Sequence, residues 1–190
     1  MDLAFYTPTD WNVVTSAGAE VDVGLSRFVF AGAEGSAFYL RQGTAGTVYR
    51  IPFFGRVVGG GLAASAGGVV TVSVSMPNQP SGGWRVYRNR IMCSSLRLND
   101  FIGACAGIAP VGAAAVSGGA SLVFFGSPLL GIAGIGGPIA SLAAAAPLAY
   151  AAAVFWSTGQ TCSAGISGSI FDGYTYPASE ASQAEITSVF

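Results

Sequence analysis

The sequence predicts an α+β protein: an N-terminal antiparallel β-sandwich or open barrel, then an apolar Gly/Ala-rich helical hairpin. Three observations carry this expectation. Residues 69–76, VVTVSVSM, alternate apolar and hydroxyl side chains with period two. No charged residue occurs between Asp100 and Asp172, a gap of 71 positions in which about six would be expected at the chain's 9% charge content. Gly126, Ser127 and Pro128 divide that neutral stretch into two runs, each long enough to cross a bilayer as a helix.

Residues 1–100 form the β-rich domain in this reading. The runs at 21–30 (VDVGLSRFVF), 37–41 (AFYLR), 47–54 (TVYRIPFF) and 84–92 (WRVYRNRIM) resemble 69–76 in their branched and aromatic content. PNQPSGG at 77–83 is a turn, because its Pro and Gly residues stop a strand. Pro52 suits an edge or a strand end. SSLRLNDF at 94–101 is the hinge, with Ser94 or Ser95 placed to cap a short helix.

Residues 101–156 form the hairpin. Ile102–Phe125 and Leu129–Phe155 would make helices about 36 and 40 Å long against a bilayer core of roughly 30 Å. Tyr150 and Trp156 stand near one end, where amphipathic aromatics favour the membrane interface. Small residues recur every fourth position, which on a helix makes one close-packing face. The candidate packing or pore residues are Gly103, Gly107, Ser117, Gly118, Ser121, Gly137, Ser141 and Ala145. Ala and Gly outnumber the strongly apolar residues, and Pro110, Pro138 and Pro147 would kink or break helices. That is the profile of a segment that inserts conditionally. Residues 157–190 return to polar, turn-forming composition, with an aromatic cluster from Phe171 to Tyr176 expected to pair as a strand with the β domain.

Composition excludes several chemistries. The chain has no His, and all eight of its basic residues are Arg. A Ser-His-Asp triad, a Cys-His pair, an imidazole metal site, a Schiff-base lysine and a Walker-type phosphate lysine are therefore all missing. GRVVGGGLAASAGG at 55–68 lacks that lysine and reads as a loop or strand bend. Cys93, Cys105 and Cys162 lack metal-ligand spacing. Cys105 reads as a buried, inert thiol, and a Cys93–Cys162 pairing stays open. Glu20 and Asp22 at i, i+2 are surface carboxylates more readily than a glycosidase pair. No enzyme activity, cofactor or metal is expected. A net charge of −1 argues against nucleic acid as a partner. Arg85, Arg88, Arg90 and Arg97 cluster beside the neutral stretch, where they could contact lipid headgroups or could be a solvated strand face. MDLAFYTPTDWNVV has no basic region followed by an apolar one, so the chain is expected to be made in the cytoplasm without a cleaved secretory signal.

The segment at 103–146, GACAGIAPVGAAAVSGGASLVFFGSPLLGIAGIGGPIASLAAAA, resembles the glycine-zipper segments of small pore-forming antibacterial effectors, some delivered by bacterial type VI secretion. The resemblance is one of composition and spacing. It implies a homo-oligomer in a target's inner membrane that leaks ions, a delivery tube or chaperone, and a neutralising immunity protein. The expected function is thus a membrane-inserting, pore-forming toxin or secreted effector. The alternative is a structural or assembly protein whose apolar hairpin is buried in an oligomer.

Overall fold

A computed structural model describes residues 5–24, 29–61, 69–75, 84–111, 117–126, 128–159 and 167–189. The chain forms β1 (Tyr6–Gly24), β2 (Val29–Gln42), β3 (Val48–Gly61), β4 (Val69–Ser75) and β5 (Trp84–Asn89), then a short 3-10 turn at Leu98–Phe101. There follow β6 (Gly103–Val111), β7 (Ser117–Phe125), α1 (Pro128–Ala133), α2 (Pro138–Leu148), β8 (Ala151–Gly159), β9 (Ser167–Thr175), β10 (Ser179–Glu180) and α3 (Gln183–Val189).

The predicted α+β fold is corrected by this order. Eight antiparallel strands close into a barrel, in the ring order β1-β2-β3-β9-β6-β7-β8-β5 and back to β1. The region expected to be a helical hairpin supplies β6, β7 and β8, and its only helices among the described residues are the six-residue α1 and the eleven-residue α2, with a 3-10 turn between them. No helix among the described residues is long and apolar enough to cross a membrane. The physical reason lies in partners. An isolated helix satisfies its own backbone, but β3, β9 and β5 present open edges that the neutral segments complete. In the tail, β9 lies between β3 and β6. The hinge is capped differently, with the Arg97 backbone N–H donating to Asp100 Oδ2 at 2.7 Å rather than to a serine.

Along β1 the neighbour on one side changes. Tyr6–Val13 pairs with β5, whereas Ser16–Asp22 pairs with β4. The barrel therefore has two ends of different character. At the end where β1 begins, the interior is filled by Trp11, Val13, Phe38, Leu40, Ile51, Phe53, Phe101 and Phe125. Edge-on ring pairs lock this core, among them Phe38–Phe125 at 5.1 Å and Trp11–Phe101 at 5.1 Å between centroids. These side chains fill the lumen at this end, as an eight-stranded barrel permits. Outside, α2 lays Ala145 and Ala149 on Ala104, Ala106, Phe124 and Ala152. Ile186 of α3 packs near Val14, Ala37 and Tyr39.

Candidate functional site

The other end of the barrel is the candidate site, a wall rather than a cleft. Strand side chains alternate between the two faces. Phe171, Phe155, Val57, Ser169 and Ser121 are buried inside. Their chain neighbours Val58, Ile170, Ile108, Leu122 and Val154 are partly exposed on the outside. Register joins these into one row: Val58 opposite Ile170, Ile170 opposite Ile108, Ile108 opposite Leu122, and Leu122 opposite Val154. Five paired strands thus carry an apolar belt.

Five charged positions are described in this half: Glu20 and Asp22 pair through their backbones with β2, where Glu34 shares the face of Phe38. Glu20 stands directly opposite Glu34. Burial pushes the Glu34 carboxyl up to about 7, so it is largely neutral in mildly acidic solution. The remaining two, Arg56 and Asp172, face outward as a pair one register step below the belt. Arg56 Nη2 donates to Asp172 Oδ2 at 2.7 Å and Nε donates to Oδ1 at 3.1 Å. Ser141 Oγ of α2 donates to the same Oδ2 at 2.8 Å, so the buried carboxylate has three partners. The hydrogen bond to Asp172 raises the guanidinium of Arg56 above its ordinary value.

A second apolar surface adjoins the belt. Leu129, Ile132, Ile135 and Ile139 of the α1–α2 segment are 45%, 64%, 86% and 65% exposed. Phe54, Tyr174 and Tyr176 are exposed on the strands beside them.

The residues singled out from sequence are dispersed over this framework. Gly103 and Gly107 lie on β6, and Ser117, Gly118 and Ser121 lie on β7. Gly137 precedes α2 with φ +88°, and only Ser141 and Ala145 are on a helix, both turned against the barrel. A helix-packing face through 103 and 107 is corrected, because those residues are in a strand. Ser121 is buried inside the barrel at 3% exposure. Arg85 and Arg88 are on β5, Arg90 in the turn after it and Arg97 before the 3-10 turn, at the aromatic end and away from the belt. Arg88 Nη1 donates to the Cys93 carbonyl at 2.8 Å. Cys105 is buried, and burial raises its thiol well above the ordinary range. Cys162 lies outside the described residues, as do 62–68 and 77–83. Sequence reasoning missed Arg56, Glu34 and the belt. The signal was present as period-two spacing in SLVFF and AAAVFW, diluted by Ala and Gly on both faces. Among the described residues no group of His, Cys, Asp or Glu is placed to hold a metal ion.

Fold and wall together define a class: a closed antiparallel barrel with an apolar outer belt at one end and an aromatic plug at the other. No protein-family model, curated protein or solved structure matches the chain.

Proposed function

We propose that this protein is a membrane-inserting barrel, a toxin or secreted effector that dissipates ion gradients. Its strands, rather than helices, enter the lipid. The observation that carries the reading is the belt Val58–Ile170–Ile108–Leu122–Val154, apolar and partly exposed across five paired strands. Only a closed sheet can present strands to hydrocarbon, since every backbone group must find a partner there. α2 covers β6, β7 and β8 at Ala104, Ala106, Phe124 and Ala152, so on these strands the part free to meet lipid is the end that bears the belt. The outward charges beside the belt, Arg56 and Asp172, are paired with each other, which lowers the cost of placing them near lipid. The aromatic plug closes the lumen of one copy, so ions pass between assembled copies or after the plug opens. A delivery tube or chaperone and an immunity protein belong to the same proposal.

Flotation with liposomes tests it. The wild-type chain should float and collapse a potassium diffusion potential. The triple variant Val58→Asp, Leu122→Asp, Val154→Asp should do neither while keeping its far-UV spectrum. The competing reading is an assembly protein whose copies bury the belt against each other. It prevails if the wild type ignores lipid, sediments as an oligomer, and becomes monomeric in the triple variant.

A further inference from the structure

We infer that the outer wall holds a binding site for an acyl chain bearing an anionic head. The site is a slot between the barrel and the α1–α2 segment. One hollow of about 410 Å³ is lined by Phe54, Arg56, Ile135, Ser141, Asp172 and Tyr176. A second of about 510 Å³ is lined by Ile102, Pro128, Ile132 and Tyr150. The two share Ala104, Ile135 and Tyr174, which makes the slot elongated. Each volume falls in the range of small-molecule pockets, roughly 300–1,000 Å³ with apolar walls and few polar groups.

The charged groups are at one end. There the Arg56–Asp172 pair is asymmetric: the arginine side chain is 57% exposed and the carboxylate 4%. Of the two, the guanidinium is the more exposed, and a ligand head meets it first although Nε and Nη2 are held by Asp172. Among the described residues no other charged side chain lines either hollow. A chain laid along Ile132, Ile135 and Ala104 with its head at Arg56 matches shape and charge together. A cationic head would meet like charge. The source of the chain is either a free fatty acid or an anionic phospholipid.

Calorimetric titration with laurate below its micelle concentration tests the site without a bilayer, so failure of the membrane reading leaves it untouched. Laurate should bind at one per chain, and dodecyltrimethylammonium at least about tenfold more weakly. Ile135→Asp should weaken laurate by about tenfold or more with an unchanged melting midpoint, because Ile135 is 86% exposed and contributes little to the core. Short-chain phosphatidylglycerol below its micelle concentration that displaces laurate assigns the phospholipid; laurate that stays bound assigns the free acid. The inference is overturned by no saturable laurate binding up to about 1 mM, by equal affinity for both heads, or by wild-type affinity in Ile135→Asp.

Discussion

Glu34 shows how one residue ties the lumen to solution conditions. Its carboxyl is raised by burial from 4.5 to about 7, so the folded state holds a proton that the unfolded chain has already lost. The sign follows from linkage. The stabilising contribution is full below about pH 4.5 and fades as pH rises through 7. Between pH 4.5 and 8 the wild type should lose roughly 2–3 kcal/mol relative to Glu34→Gln, read from urea unfolding at each pH. Parallel pH profiles for the two proteins would show that the carboxyl is solvated. Gly107 makes a different point. A Cβ there would collide with the Phe171 ring and the Leu122 carbonyl. Gly107→Ala should therefore destabilise by about 1–3 kcal/mol in thermal or urea melts. The sequence marked Gly107 as a packing residue, which the barrel makes it, but against a ring inside a sheet. Glu34 carried no such mark, because its burial depends on strands distant in sequence.

At the scale of elements, α2 and the strands around it explain the misread hairpin. Ala serves both periodicities: Ala145 and Ala149 face the barrel on a helix, while Ala151 and Ala153 face its core on a strand. A run of Ala and Gly leaves no apolar–polar contrast from which to read a period of 3.6 or 2. In the N-terminal half the runs at 37–41, 47–54, 69–76 and 84–92 fall on β2 to β5, but the run at 21–30 straddles the end of β1 and the start of β2, and the rest of β1 was not read as a strand. Docking of α2 is specified by three polar ties: Ser141 to Asp172, Tyr6 to the Ala146 carbonyl at 2.8 Å, and Asn89 to the Pro147 carbonyl at 3.1 Å. Burial pushes the Tyr6 phenol up to about 12, so this tie persists through the neutral range. Ala145 is fully buried beneath α2. Ala145→Arg should cost about 3 kcal/mol or more, since an unpaired charge would be trapped against the wall. Ile139→Arg, at a site 65% exposed, should change stability by less than about 0.5 kcal/mol. Equal denaturation midpoints for the two variants would place α2 away from the barrel.

The whole molecule is a ring closed by strands from both halves of the chain. Residues 1–100 contribute β1 to β5, but β3 finds its outer partner in β9 and β5 finds its own in β8. Interior packing crosses the same seams: Phe53 meets Phe171 at 5.4 Å, and Phe38 meets Phe125 and Phe155. A fragment ending at residue 100 would expose two sheet edges and half of the aromatic core, and open edges with apolar faces aggregate. The division at residue 100, clear in charge and composition, is thus crossed by both backbone pairing and core contacts. Fragment 1–100 expressed alone should be insoluble or lack dispersed amide resonances. Mixed during refolding with fragment 101–190, it should regain the far-UV spectrum and the cooperative melt of the intact chain. The contacts to be made are long-range, so refolding should be slow, on the order of milliseconds to seconds for the intact chain and concentration-dependent for the pair. A soluble, cooperatively melting 1–100 fragment would mean that β1–β5 can close without β8 and β9, and the eight-stranded ring would lose its claim to be the folding unit.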